Sequence, residues 1–368
     1  DSGNCARMGL VAWKQNSNNS YSCTKPYNKF CPTWYTPSCG HTHAGCVAVA
    51  MGQVMWFWQW PHSAIVPLNM LDSAGNTSGS ILREYYWNKM PGGIYCSTPE
   101  DEADEIAGFL RDCGYAVKMQ YKANGSGAYL ADAELALEQK FHYQNVFNWT
   151  RDAYEALGLN WTSKLQTEID AGRPVIYGGH EPNGGGHAFI LYGYSGILFK
   201  INWGWGENNN GYYGLGDVVP GINISYIDDQ EALWGIEPNY PNCNNYNLFN
   251  LDVSPNPFEV HKGGPITIKN KTISSNKSGV IYSGEEVRLQ STCTISAGSN
   301  VHFAIRDMNC GTRDLEDDEF HAPFRLEVPT IIENVNQEAY SISPNPTTES
   351  IVISCSEPIE RTTIYNTN

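Results

Sequence analysis

The chain has 368 residues, with 39 acidic against 23 basic side chains, a net charge of −16 and a pI near 4.9. That balance argues against nucleic acid and anionic membrane surfaces as partners. No apolar run reaches the roughly 18 residues of a membrane span, since the best candidate, Val47 to Trp60, is shorter and carries two glutamines.

At roughly 150 residues per domain the length suggests two or three domains. The 11 Trp and 22 Tyr suit a packed globular protein, or one that handles chains in a groove. Asp1 is preceded by neither an initiator Met nor a signal sequence, which reads as a processed or trimmed start. Residues 1–45 read as irregular surface structure. Of 11 cysteines, Cys5, Cys23, Cys31 and Cys39 crowd this segment. The odd total leaves at least one unpaired. The crowding fits disulfides in an oxidising compartment. Zinc is the competing reading, against which stands the lack of short Cys-x-x-Cys pairs.

The stretch Gly45-Cys46-Val47-Ala48 to Trp56 reads as a helix beginning at Cys46 and buried nearly all round. A cysteine at a helix N-terminus sits at the positive end of the macrodipole, which favours the nucleophilic thiolate. The alternative is a small buried core cysteine. Leu71 to Ser80 is turn-rich and Tyr85-Tyr86-Trp87 is an aromatic patch. The next helix is expected to be capped by Ser97 or Thr98, with acidic residues in its first turn and Gly114 as its stop. Tyr115 to Tyr121 alternates as a strand. Ala131 to Phe141, with Leu135, Leu137 and Phe141 inward, and Trp161 to Ala171 read as further helices. Pro174–Tyr177, His187–Tyr194 and Ile197–Asn202 read as strands, with a hairpin turn at Gly196. Helices first and antiparallel strands last argue for an α+β fold. An Asn-rich linker at Pro238 to Asn250 precedes short alternating runs that read as a small all-β module. A second boundary falls near Val335 to Pro346.

A cysteine nucleophile needs a base. Of nine histidines the sharpest is His187, behind Gly184-Gly185-Gly186 and at the start of an apolar strand. Asn202-Trp203-Gly204-Trp205-Gly206 follows, two indoles in a glycine-rich turn that suggest a wall over a groove. Together these stretches resemble the streptopain family of papain-like cysteine peptidases. The pattern matches at Gly45 to Met55, at Gly185-Gly186-His187-Ala188-Phe189, and at Asn202 to Gly206 with Gly211-Tyr212-Tyr213. The match runs over residues 10 to 238, and Val117 to Gly127 resembles the strand and Gly/Ser loop before the substrate groove.

The resemblance implies a papain-like domain over residues 1–240, with a helical part plus an antiparallel sheet. An all-β accessory module would occupy 241–330. Residues 331–368, with Ser343-Pro344-Asn345-Pro346-Thr347, resemble a Bacteroidetes-type secretion sorting domain and read as truncated. The implied function is a secreted or cell-surface bacterial cysteine endopeptidase that needs no cofactor or metal. Its expected partners are protein and peptide substrates, an inhibitory propeptide and a cell surface reached through the C-terminal region. Cys46 would attack the scissile carbonyl and His187 would shuttle the proton. The Cys46 N–H would hold the oxyanion. Ser126, Gly127, Gly185 and Gly186 would line the substrate groove, and Trp203 and Trp205 would shield the pair. Two departures stand out. No glutamine precedes Cys46 closely, so His41 or His43 would supply the second oxyanion donor, or the role is filled elsewhere. Papain's Asn-Ser-Trp-Gly is here Asn202-Trp203-Gly204, one residue short, with Asn202 expected as the orienting amide. His41-x-His43 before a cysteine could also bind a metal, but the segment has no carboxylate. An inactive surface adhesin with the same fold, or a Cys–His amidase or acyltransferase, are the other functional readings.

Overall fold

The computed structural model describes residues 5–16, 25–33, 40–68, 79–122, 125–182, 184–216, 225–241, 246–248, 253–268, 271–284, 287–289, 294–295, 299–305, 340–344, 350–355 and 362–364. It divides into two compact units, Asp1–Asn239 and Tyr240–Asn368.

The first unit is α+β. Helix α1 (Cys46–Trp58) is buried along twelve of its thirteen residues, which its Ala/Val/Met-rich sequence requires. Around it lie α2 (Glu100–Ala116), α3 (Leu130–Gln139), α4 (Arg151–Ala156) and α5 (Trp161–Asp170). Strands β1 (Ser63–Pro67) and β2 (Ser80–Glu84) form a hairpin, and β3 (Tyr143–Gln144) pairs with β10 (Glu237–Pro238). The main sheet comprises β4 (Phe147–Thr150), β5 (Val175–His180), β6 (Gly186–Ser195), β7 (Leu198–Asn202), β8 (Gly211–Gly214) and β9 (Asp228–Trp234). Its order is β4-β9-β5-β6-β7-β8 and every pairing is antiparallel. One face is covered by α5 through Trp161, Leu165 and Ile169, packed with Tyr177, Phe189, Phe199, Trp203 and Trp234. Burying each such aromatic is worth on the order of 1.5–3 kcal/mol, so this aromatic cluster makes the sheet a rigid support. Helix α1 docks on β6, and Gly52 lets it close on α2, since a Cβ there would meet Leu110 at 3.0 Å.

Several expectations change. Helix α2 runs past Gly114 to Ala116, so Tyr115 to Tyr121 is no strand; Gln120 makes only a single bridge to Gly127. Neither Ser97 nor Thr98 caps α2: Pro99 holds the N-cap position with no side-chain bond, while Thr98 Oγ1 accepts from the Tyr95 N–H. Leu135 points outward because α3 presents Leu130, Ala133, Ala136 and Leu137 instead. Cys5 and Cys31 are free, buried thiols, not bridge members; Cys23 and Cys39 lie outside the described residues, as does most of Leu71 to Ser80.

The second unit is all-β, and much of it is parallel. Strands β11 (Tyr246–Leu248), β13 (Ile266–Ile268) and β16 (Val287–Leu289) stack in register. So do β12 (Phe258–Lys262), β15 (Ser278–Ser283) and β18 (Asn300–Ile305), and β14 (Thr272–Ile273) with β17 (Thr294–Ile295). Phe258 pairs with Gly279, which pairs with Val301, so each turn of chain advances by about the same length, as in a parallel β-coil. Gly279 is required there, for a Cβ would lie 2.6 Å from the Phe258 ring. Strands β19 (Tyr340–Pro344), β20 (Ser350–Cys355) and β21 (Thr362–Ile364) join antiparallel, β20 to β18 and β21 to β16.

Candidate active site

Cys46 is the first residue of α1 and keeps a partly exposed surface. Gly45 caps the helix at φ +92°, and a Cβ on it would lie 2.5 Å from Met119 Cε and 3.2 Å from the Ser126 carbonyl. Only glycine fits both the backbone and the space, so Met119 and Ser126 come directly against the residue before the thiol. The N–H groups of Ala188, Val47 and Cys46 itself point at the sulfur, but the atoms packed around it outweigh them, and burial pushes the Cys46 thiol up. The expected thiolate is therefore not favoured by the helix end alone.

The Ala188 contact places the thiol against the backbone of the residue that follows His187, the second residue of β6. His187 is buried in an aromatic box. Trp205 stacks on it at 4.8 Å and 30°, Tyr226 lies at 5.3 Å, and Trp203 and Phe189 at 6.1 Å. Burial pushes its pKa down to about 4, against the opposing pull of the Trp203 carbonyl. His187 Nε2 lies 2.9 Å from that carbonyl. A carbonyl only accepts, so Nε2 carries the hydrogen and Nδ1 is left with the lone pair.

Asn202 is not the group that orients the imidazole. Its Nδ2 donates to the Val11 carbonyl at 2.8 Å and to Gln53 Oε1 at 3.2 Å, and its Oδ1 accepts from the Gly204 N–H at 3.0 Å. The missing residue before Trp203 turns the amide away and puts a backbone carbonyl in its place. Asn202 instead ties three segments, the irregular stretch at Val11, α1 and the Trp203-Gly204 turn. The Trp203 N–H donates to Asn210 Oδ1 at 3.0 Å and its indole Nε1 to the Asn209 carbonyl at 2.9 Å, which fixes both ring and carbonyl.

Gly186 opens β6 opposite His180, whose Nε2 would lie 2.7 Å from a Cβ at that position. Nothing lies within 4 Å of a Cβ at Gly185, so its bare backbone faces open space. Ser126 is buried, with Oγ lacking a partner among the described residues, while Gly127 is exposed. His41 Nδ1 is bonded to the Cys31 carbonyl at 2.8 Å. The pocket beside Trp205 is lined by His43 and Gln15 instead. The Gln15 carbonyl accepts from the Ala44 N–H at 2.8 Å, which holds Gln15 against the approach to Cys46. Gln15, Tyr226 and Met119 were not singled out from the sequence; a glutamine 31 positions upstream gives no spacing signal to Cys46. Of the His-x-His pair, His41 and His43 belong to no metal-like cluster among the described residues.

The Peptidase C10 family profile matches residues 21–213. The chain is 34% identical over 224 residues to the thiol protease/hemagglutinin PrtT of Porphyromonas gingivalis, covering 58% of this chain and 25% of that protein. It is 27% identical over 242 residues to a streptopain of Streptococcus pyogenes, covering 59% and 60%. The chain thus spans from a quarter to three fifths of the length of these relatives. The structure of active wild-type interpain A cysteine protease from Prevotella intermedia superposes with a TM-score of 0.52 at 29% identity, covering 62% of this chain and 93% of that one. The α+β unit is therefore the papain-like fold, and the chain belongs to the Peptidase C10 family of cysteine peptidases.

Proposed function

We propose that the chain is a bacterial cysteine endopeptidase that works outside the cell on protein and peptide substrates, with Cys46 as nucleophile and His187 as base. The observation that carries this is the His187 Nε2 bond to the Trp203 carbonyl. It leaves Nδ1 as the basic nitrogen on the strand that also offers Ala188 to the sulfur. The Cys46 proton passes to Nδ1 as sulfur bonds to the scissile carbonyl carbon. The resulting oxyanion is held by the Cys46 N–H and the Gln15 side-chain amide. On collapse the C–N bond breaks and Nδ1–H protonates the leaving amine. Water, deprotonated by the same nitrogen, then hydrolyses the thioester. Trp203 and Trp205 exclude bulk water, and Gly185, Gly186, Ser126 and Gly127 line the approach for the chain before the cut.

The support for export is the resemblance of residues 331–368 to a sorting domain, and an inhibitory propeptide follows from the family resemblance. The test is labelling with an epoxide thiol inhibitor, mapped to a tryptic peptide, alongside a casein digest. Labelling at Cys46 with digestion supports the peptidase. Labelling without digestion favours an amidase or acyltransferase, and no labelling a binding module.

A further inference from the structure

A pocket of about 290 Å³ opens beside Trp205, lined by Lys14, Gln15, Asn16, His43 and Asn208 together with Gly204. It lies on the leaving-group side of the site, because Trp205 stacks on His187, the ring that must hand its proton to the departing amine. Lys14, Gln15, Asn16, His43 and Asn208 bring polar side chains to it, and Lys14 is its one permanent cation. Burial holds the His43 pKa below its ordinary value, so His43 is neutral near pH 7. Lys14 is positioned by packing. A Cβ on Gly206 would fall 2.4 Å from Lys14 Cε, so the lysine stem lies across the bare Gly206 backbone. The Gly206 N–H in turn donates to the Trp13 carbonyl at 3.1 Å, beside Lys14 in sequence. Among the described residues the Lys14 ammonium has neither ion pair nor hydrogen bond. Glu207, in the same turn, is exposed and does not line the pocket. A positioned ammonium, unpaired among the described residues, in a recess of a protein whose net charge is −16 is a selective feature, because most of this surface repels anions.

Resting on the peptidase reading, we infer that this pocket is a subsite for the residue just after the cut, and that Lys14 makes it prefer a carboxylate there. The carboxylate is the side chain of Asp or Glu, or the free terminus of a short substrate. Asn16 and Asn208 amides complete its hydrogen bonding.

The test is kcat/KM on peptides identical before the cut and carrying Glu, Gln or Lys in the first position after it. A second pair ends at that position as free acid or amide. The expected result is a Glu/Gln ratio of about three- to tenfold at low salt, the size of one partly desolvated ion pair, shrinking at high salt. Lys14→Gln should bring the ratio near one and Lys14→Glu should invert it; because a ratio is read, a general loss of activity does not mimic the effect. Preference for internal Glu assigns the pocket to an acidic side chain, and preference only for the free acid assigns it to a chain end. Equal rates for Glu and Gln and for acid and amide, or a ratio that survives Lys14→Gln, overturns the subsite. If the Gln peptide is not cut and Cys46 takes no inhibitor, the peptidase reading fails and the subsite falls with it.

Discussion

His187 Nε2 donates to the backbone carbonyl of Trp203 at 2.9 Å, while the neighbouring Asn202 amide is spent on Val11 and Gln53. The imidazole is thus oriented by main chain. Asn202→Ala should therefore behave as a structural lesion. It removes the Asn202 partner of the Val11 carbonyl and the Gly204 N–H, at a cost of about 1–3 kcal/mol each at most, while Gln53 Oε1 keeps the Trp13 N–H at 3.3 Å. The expected outcome is a lower Tm with a kcat/KM profile whose pH limbs do not move. A catalytic amide would instead shift the acid limb and cost activity with Tm unchanged.

Cys46→Ala should abolish peptide hydrolysis, by on the order of 10⁴-fold or more, and leave Tm close to wild type, since the residue keeps a partly exposed surface at a helix start. Residual turnover above about one per cent of wild type, where 10⁴-fold is expected, would remove Cys46 from the nucleophile's place.

The pH profile follows from the pair. Burial holds His187 down to about 4 and pushes Cys46 up. Each shift opposes a lone charge, whereas the thiolate–imidazolium pair is neutral overall and holds one proton in common. The pair gains a second proton, and stops working, as pH falls through about 4. It loses its one proton only on the alkaline side of an ordinary thiol. The bell of kcat/KM should be broad, with its acid limb near 4 and no fall just above neutrality. A limb near 6.5, the ordinary histidine value, would show that the ring is solvated. Stability has the matching sign. The unfolded chain protonates this ring near 6.5 and the folded one near 4, so the contribution is complete above 6.5 and is lost as pH falls through that window. Tm measured between pH 7 and 4 should drop more for wild type than for His187→Gln.

Much of this site was legible because its signals are side chains in short stretches. Gly45-Cys46 ahead of an apolar run marks a helix start, and Gly185-Gly186-His187 ahead of a hydrophobic strand marks a rim residue. What was not legible rests on main chain or on distance. The Trp203 carbonyl has no residue type to announce it, and the deletion before Trp203 reads equally as a weakened triad. Gln15 and Lys14 reach the site only because the Ala44 and Gly206 N–H groups bond to Gln15 and Trp13 carbonyls. The alternating runs after Phe258 show strand, but parallel stacking is a long-range pairing; its sequence trace is the even interval from Phe258 to Gly279 to Val301, which local alternation hides.

Removing residues 241–368 should leave hydrolysis of small peptides largely intact and abolish surface retention. The cut falls just beyond the first compact unit, which ends at Asn239. A shortened protein that misfolds or loses turnover would make the β-coil unit part of the peptidase.

Thiol reactivity should separate the cysteines by burial. Desolvation pushes Cys5 and Cys31 up to about 12 and Cys113 well above its ordinary value, and all three side chains are buried. Thiolate and access are both needed for alkylation, so these three should resist iodoacetamide in the native protein and react once it is unfolded. Cys96 is exposed and should be modified without loss of activity. Cys46 is partly exposed and receives three N–H groups at its sulfur, one of them from Ala188 next to His187, the proposed base, so its reactivity should exceed what its own raised pKa allows. Iodoacetamide should then inactivate the protein at the rate at which Cys46 is carboxamidomethylated, and mild thiol reductant should restore an air-oxidised sample without changing its Tm. Peptide mapping against residual activity decides this. Inactivation that tracks Cys96 instead, full activity with Cys46 alkylated, or activity lost to chelators would each rule out the Cys46–His187 pair as the catalytic one.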